Sequence, residues 1–214
     1  YTNIPKRGQV SDSIAIDLIH GYYATVSYSD ALVGKILDAL KEQGLDKNTI
    51  VVLVADHGYN LQEHTQWAKF TNYNTSTQVP LIIYNPLANA TGSTDALTAL
   101  VDVYPTLAEI CALKPPAGQL DGTSLVAVMS NPKSEGKKHV FIKRGKGFTL
   151  KTKDFSYTEF IRPTNNTTVA SMLYDHRSNK DENVNVVNQK EFADVVLELK
   201  TTLHTDFKEN IVGE

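Results

Sequence analysis

The residues of this sequence whose types and spacing could do chemistry are Asp56 and His57, which Glu63, His64 and Lys69 follow a short way downstream. Asp56 and His57 follow a continuous apolar run and stand directly before Gly58. A carboxylate beside an imidazole suits a divalent cation, from calcium or magnesium on the oxygen-rich side to manganese or zinc. Neighbouring side chains of a regular strand point to opposite faces, so both can bind one ion only if the chain turns there, and Gly58 gives it that freedom. The alternative is a strand end at which Asp56 caps the next turn and His57 is merely exposed.

The elements that must position these residues are two predicted strands. Thr49–Ala55 is apolar at nearly every position, which predicts a strand covered on both faces, as in a parallel sheet. Val79–Tyr84 predicts a second strand, and its early Pro80 fits a strand start. Asp56 would then lie at the C-terminal edge of the sheet, where open α/β sheets bind their ligands.

Helical periodicity lies on both sides of these strands. From Ser11 to about Gln43 apolar residues recur at helical spacing, and Ser29 or Asp30 could cap a second helix within that stretch. Gly44 is expected to end the helix. A further helix is predicted from about residue 95 to 113, interrupted near Pro105. The order helix, strand, loop, strand, helix is typical of a layered α/β domain.

The pattern changes in the C-terminal part of the chain. Short strands between residues 139 and 174, separated by turn residues, predict an antiparallel sheet, and a closing helix is predicted over Glu191–Phe207. A cluster of turn-forming residues at 131–136 marks the boundary. We therefore predict an α/β fold in which residues 1–131 belong to an α/β domain, and residues 132–214 form a small antiparallel-sheet subdomain with a C-terminal helix.

Composition and charge exclude several classes of partner. The 214 residues carry a formal net charge of −3 with a sequence pI near 6.1, which leaves no basic surface for nucleic acid. No apolar run approaches the ~20 residues of a membrane span. Cys111 is the single cysteine, so no disulfide can form within the chain, and its apolar neighbours predict a buried thiol.

Several short motifs follow one another along the chain. Around the predicted site they are Asp56-His57-Gly58, Gln62-Glu63-His64, Trp67-x-Lys69 and Gln78-Val79-Pro80-Leu81. Others stand at Tyr22–Asp30, Val101–Leu107, Leu120–Leu125 and Leu173–Asp175. In type and order these motifs resemble the C-terminal half of the sulfatases, within the alkaline phosphatase superfamily, and most of all the iduronate-2-sulfatase branch.

The resemblance implies roles for four residues. Asp56 and His57 would ligate the active-site divalent metal, which is calcium by family habit and manganese in some relatives with His at this position. Lys69 would contact the sulfate and offset the charge that develops on its oxygens, a form of transition-state stabilisation. His64 could hold the leaving group or a sugar carboxylate, or it could make a structural hydrogen bond in the loop.

The resemblance also identifies what this sequence lacks. Sulfatases attack sulfur with a formylglycine made from Cys or Ser in a Cys-x-Pro/Ala-x-Arg sequence, and Cys111, followed by Ala-Leu-Lys-Pro, is not that site. The paired Asp ligands near the N-terminus of the family have no counterpart here. We therefore expect the formylglycine in an N-terminal part of the same enzyme, and no activity from this chain alone.

Taken as a whole, the resemblance implies a sulfuric ester hydrolase that acts on a sulfated carbohydrate, in the periplasm or outside the cell. One alternative is a phosphodiesterase or phosphonate monoester hydrolase of the same superfamily. Another is a non-catalytic, sugar-binding fragment that kept the fold and lost the nucleophile. The upstream sequence would separate these three hypotheses, because each requires a different nucleophile or none.

Overall fold

The structure is a computed structural model that describes residues 10–88, 91–115 and 118–207. The chain forms two compact units. We name Tyr1–Thr71 with Thr75–Asn89 the N-terminal unit, and Asn72–Asn74 with Ala90–Glu214 the C-terminal unit. The predicted boundary after residue 131 does not coincide with this division. The division into a catalytic domain, residues 1–131, and a subdomain, residues 132–214, stays a prediction.

A single helix, α1 (Asp12–Glu42), opens the described part of the N-terminal unit and runs for 31 residues without a break. The expected start of a second helix at Ser29 or Asp30 is wrong, because no proline interrupts this stretch and both residues lie within α1. Gly44 follows the helix with a φ of 69°, and its N–H donates to the carbonyl oxygen of Lys41. Glycine adopts this conformation without the steric penalty of a Cβ atom, so the helix ends where the sequence predicts.

The stretch 51–84 contains a pair of longer strands, and the connection between them carries two short strands and a helical turn. In chain order the elements are β1 (Val51–Val54), β2 (Asn60–Leu61), β3 (Trp67–Ala68), α2 (Asn74–Thr77) and β4 (Leu81–Tyr84). β1 and β4 pair antiparallel, with Val51 opposite Tyr84, so the expected parallel arrangement is wrong for this pair. Parallel neighbours need a long crossover, usually through a helix. Residues 55–80, all of which the structure describes, contain only a small hairpin and single helical turns, and these let the chain reverse.

Much of the apolar surface of the N-terminal unit is exposed. Leu53 and Val54 face opposite sides of β1 and both are exposed, so the expectation of a strand covered on both faces is wrong for this chain. Large exposed apolar side chains also follow the length of α1: Ile14, Ile16, Tyr23, Val26, Tyr28, Leu32, Ile36 and Leu37. Across the described ranges, no helix combines the length and apolar character needed to cross a membrane.

The first helical segment of the C-terminal unit is shorter than the sequence predicts. A 3₁₀ turn at Leu100–Asp102 leads into α3 (Val103–Ile110), so the helix begins later than residue 95. Pro105 does not interrupt it, because it is the third residue of α3, where the backbone N–H has no acceptor within the helix in any case. Cys111 is exposed rather than buried as expected, since it caps the end of α3 instead of lying on a packed face.

An antiparallel sheet and a helix complete the C-terminal unit. After α4 (Val126–Ser130) come β5 (Val140–Arg144), β6 (Gly147–Lys151), β7 (Phe155–Arg162), β8 (Thr167–Asp175) and α5 (Ala193–Asp206). The four strands pair in sequence order. Side chains of the sheet, of α5 and of the segment between them share one hydrophobic core: Phe148, Leu150, Tyr157, Ile161, Leu173, Val186, Leu199 and Leu203. The predicted antiparallel sheet and closing helix are confirmed.

Candidate functional site

Three of the predicted site residues come together at the end of β1. Nζ of Lys69 lies 2.7 Å from Nε2 of His57, although 12 positions separate them in the chain. Nε2 of His57 lies 3.5 Å from Oδ2 of Asp56. The side chain of Asp56 is 85% exposed and that of His57 is 32% exposed, so the group opens to solvent on the side of the carboxylate.

The hydrogen bonds of His57 decide which of its ring nitrogens carries the proton. Nδ1 lies 2.8 Å from the carbonyl oxygen of Gly58, and a carbonyl oxygen can only accept, so Nδ1 carries a hydrogen and donates it. The ammonium of Lys69 can only donate, so Nε2 presents its lone pair to Nζ. Both contacts fit the tautomer of His57 that carries its hydrogen on Nδ1.

This arrangement fits a cation. Oδ2 of Asp56 and Nε2 of His57 lie 3.5 Å apart, and both present lone pairs. Two such atoms repel each other unless positive charge lies nearby, and Lys69 supplies that charge at Nε2. Carboxylate oxygen and imidazole nitrogen also form a mixed donor set for a divalent metal, and a ligating histidine commonly donates its other N–H to a backbone carbonyl, as His57 does to Gly58. Within the described residues no group of three or more His, Cys, Asp or Glu is placed to hold a metal.

Gly58 is needed here for space rather than for the backbone freedom that the sequence suggests. Its φ lies outside the left-handed region. A Cβ atom added to it would lie 2.1 Å from the carbonyl oxygen of Thr75, well inside van der Waals contact. Its N–H donates to the carbonyl oxygen of Ser76 at 2.8 Å. The end of β1 therefore packs backbone to backbone against Thr75 and Ser76, which only glycine permits.

The hairpin between His57 and Lys69 contains several residues with a strained backbone. Four non-glycine residues have positive φ: Gln62 at 89°, His64 at 53°, Thr65 at 59° and Ala68 at 68°. Each carries a steric cost that its surroundings must offset, and such residues cluster at functional sites. His64 lies half-buried in the turn of this hairpin. Its contact with a substrate stays a prediction.

Sequence reasoning missed Asn60, which is fully buried at the start of β2. Its amide group makes hydrogen bonds to both sides of the loop that carries Lys69. A buried polar side chain is stable only when its bonds are made, so Asn60 and its partners constrain one another. One Asn among several polar residues has no distinctive spacing, and its burial is therefore visible only in the tertiary structure.

Comparison with protein families decides where the chain belongs. The family model described as Sulfatase matches residues 3–111, and the model described as N-sulphoglucosamine sulphohydrolase, C-terminal, matches residues 62–209. The chain belongs to the sulfatase family. The resemblance stated from its motifs is thus confirmed, and the Sulfatase match includes Asp56, His57, His64 and Lys69.

Several curated relatives resemble this sulfatase-family chain. A sulfatase from Formosa agariphila is 32% identical over 189 residues, covering 87% of this chain and 36% of the relative. Arylsulfatase K from Bos taurus is 30% identical over 178 residues, covering 77% of this chain and 32% of the relative. Iduronate 2-sulfatase from Mus musculus is 32% identical over 134 residues, covering 51% of this chain and 24% of the relative. The chain thus spans about a third of the length of the first two relatives.

Solved structures share the fold of this sulfatase-family chain. One of them, in complex with its substrate D-glucosamine-2-N,6-O-disulfate, matches with a TM-score of 0.78 and 27% identity, covering 86% of this chain and 39% of that chain. The phosphonate monoester hydrolase of Agrobacterium radiobacter matches with a TM-score of 0.72 and 23% identity, covering 86% of this chain and 40% of that chain. At this identity the match supports the fold alone. The predicted fold class, the C-terminal part of a sulfatase-type α/β domain with a small antiparallel-sheet subdomain and a C-terminal helix, is confirmed.

Proposed function

We propose that this chain is the C-terminal part of a sulfuric ester hydrolase whose substrate is a sulfated carbohydrate. The observation that carries the proposal is the contact of Lys69 with His57 beside Asp56, in a chain of the sulfatase family. One cation and two metal-type donors at a strand end suit a sulfate ester, whose oxygens gain charge as the ester bond breaks. The relative in complex with a glucosamine disulfate supports the sugar class. Within the family, we propose a specificity of the iduronate-2-sulfatase type.

Asp56 and His57 are the residues of this chain that would hold the divalent metal. We propose calcium, with manganese as the alternative, because the set contains both carboxylate oxygen and imidazole nitrogen. Such an ion, when bound, polarises a sulfate oxygen as a Lewis acid. Lys69 would then direct its ammonium to the sulfate oxygens instead of to Nε2. The hydrogen bond from Nδ1 of His57 to Gly58 would keep the ring oriented, and His64 would contact the substrate from the hairpin.

The nucleophile, in this proposal, is a formylglycine in the N-terminal part of the same enzyme. Two facts support such a partner. The chain spans about a third of the length of its relatives, and the apolar faces of α1 and β1 are exposed, as expected of surfaces that another part of a protein covers. A periplasmic or secreted location follows from the family alone and belongs to the same proposal.

Sulfate release tests this proposal. We expect the parent enzyme, meaning this chain together with its N-terminal part, to hydrolyse an aryl sulfate and a sulfated monosaccharide, and we expect the 214-residue chain alone to release no sulfate. Turnover of a phosphonate monoester or phosphodiester instead would favour the phosphoesterase alternative. Binding of a sulfated sugar without turnover would favour the sugar-binding fragment. Sulfate release by the pure chain would contradict the absence of a nucleophile.

A further inference from the structure

Asn60 is the centre of a buried hydrogen-bond network in the loop that carries Lys69. Its Nδ2 donates to the carbonyl oxygen of Ala68 at 2.5 Å and to Oγ of Ser76 at 2.7 Å, with a longer contact of 3.3 Å to Oγ1 of Thr71. Its Oδ1 accepts a hydrogen bond from Oγ1 of Thr75 at 2.5 Å. The side chain is 0% exposed, so water cannot readily replace these bonds.

One branch of this network leads to Lys69. Asn60 holds the carbonyl group of Ala68, the residue directly before Lys69. Ala68 is buried and has a φ of 68°, a conformation that a non-glycine residue keeps only when its surroundings hold it. Asn60 therefore stabilises the backbone conformation from which the Lys69 side chain projects.

The other branch leads to His57. Asn60 binds the hydroxyl of Ser76, and the carbonyl oxygen of Ser76 accepts the N–H of Gly58 at 2.8 Å. The carbonyl oxygen of Gly58 in turn accepts the hydrogen on Nδ1 of His57 at 2.8 Å. The orientation of the His57 ring is thus linked to Asn60 through Ser76 and Gly58.

We infer that Asn60 is a positioning residue, which fixes the backbone from which the side chains of Lys69 and His57 reach the site. The inference rests on the function proposed for that site, because positioning matters to catalysis only if the site reacts. An amide suits this role since one planar group both donates and accepts. An Asp of nearly the same shape would still accept from Thr75, but it could not donate to the carbonyl of Ala68 or to Ser76.

The first test uses the 214-residue chain and does not depend on catalysis. Acylation of Lys69 by an amine-reactive reagent, read by mass spectrometry as a ratio to the acylation of exposed Lys41, measures how firmly Lys69 is held. Because Nζ of Lys69 donates to His57, the ratio is expected to be low, and Asn60→Asp is expected to raise it severalfold. Asn185→Ala removes hydrogen bonds to Leu173 and Ser171 in the C-terminal unit and should leave the ratio unchanged. An unchanged ratio in Asn60→Asp would overturn the proposal.

The second test uses the parent enzyme and separates positioning from folding. Asn60→Asp is expected to lower kcat about 10–100-fold, the range typical of residues that orient the groups of a metal site. KM should change much less, because the lost orientation acts mainly on the transition state. Asn185→Ala should keep both constants. A folded Asn60→Asp enzyme with the kcat of the wild type would contradict the inference.

Two further outcomes are also decisive. If the parent enzyme hydrolyses no sulfate ester, the proposed function fails, and the labelling ratio still decides the role of Asn60. If Asn60→Asp does not fold, Ser76→Ala replaces it, since this variant removes one hydroxyl of the network and keeps the backbone carbonyl that binds Gly58. Ser76→Ala is expected to raise the labelling ratio in the same direction, and no rise would overturn the proposal.

Discussion

Lys69 donates a hydrogen bond to Nε2 of His57, which is the only nitrogen of that ring with a lone pair. Nδ1 is already committed to the carbonyl oxygen of Gly58. A metal ion and the Lys69 ammonium would therefore compete for the same atom. A metal held by Nε2 would leave the charge of Lys69 available to a substrate.

Replacement of Lys69 by alanine in the parent enzyme is expected to lower kcat by ~10²–10³ and to weaken ground-state binding far less. Charge grows on the sulfate oxygens as the ester breaks, so a fixed ammonium stabilises the transition state most. Steady-state kinetics on an aryl sulfate measure both effects. Lys41→Ala, in the last turn of α1, is the control. Near-wild-type kcat for both variants would remove Lys69 from the active site.

The 214-residue chain is expected to bind calcium only weakly. Asp56 and His57 supply two donors, whereas calcium takes 6–8 oxygen ligands. Titration calorimetry should therefore detect no submicromolar site, and any weak binding should disappear in a variant that carries Asp56→Asn and His57→Gln. Submicromolar affinity would mean that this chain holds further ligands.

Gly58→Ala is expected to destabilise the chain by about 1–3 kcal/mol, since the new methyl group would overlap the carbonyl group of Thr75. Gly21→Ala is a matched control within α1, because a Cβ atom added there would meet nothing within 4 Å. It should stabilise the chain by about 0.5–1 kcal/mol, the usual gain for alanine over glycine inside a helix. Denaturant unfolding measures both variants. Shifts of the same sign would contradict the close approach at Gly58.

The attachment of α5 to the sheet should depend on pH through Glu159. Burial by itself would raise the pKa of this carboxyl, but hydrogen bonds from Tyr157 and His204, together with the charges of His204 and Lys200, hold the pKa below its usual value. Because the folded pKa is lower than the unfolded pKa, the stabilisation is complete above the ordinary Glu pKa of about 4.3 and is lost as pH falls below it.

Thermal unfolding between pH 7 and pH 3 measures this dependence. Glu159→Gln should lower the melting temperature at neutral pH and flatten its fall in acid, because the glutamine has no proton to gain. Glu198→Gln changes an exposed residue of α5 that is not among the partners of Glu159, and it serves as the control. A wild-type profile in Glu159→Gln would show that this buried carboxylate is not a source of the acid sensitivity.

The isolated chain is expected to associate through its exposed apolar faces. Ile36 of α1 is 69% exposed, and Ile82 and Tyr84 of β4 are exposed as well. Apolar surface left in water favours self-association. Light scattering should detect oligomers of the chain alone and a defined species for the parent enzyme. A monodisperse, cooperatively melting monomer would argue against a covering partner.

Features with a local cause could be read from the sequence. Gly44 ends α1 because glycine tolerates a positive φ, and the closing helix presents its apolar face to the sheet as its periodicity predicts. The direction of β4 could not be read in this way. The apolar run of β1 resembles a strand of a parallel sheet, but the direction of its partner depends on the path of the intervening loop, which no local pattern records.

At the candidate site, the sequence by itself predicted a carboxylate and an imidazole at a strand end, and the resemblance to the sulfatases added Lys69. Only the tertiary structure decided that Lys69 reaches Nε2 of His57 and that Asn60, in the stretch between them, is buried. These contacts join residues 8 to 16 positions apart. They depend on a hairpin whose strained residues, such as Ala68, adopt left-handed conformations that their own type disfavours, so packing rather than local preference sets the geometry.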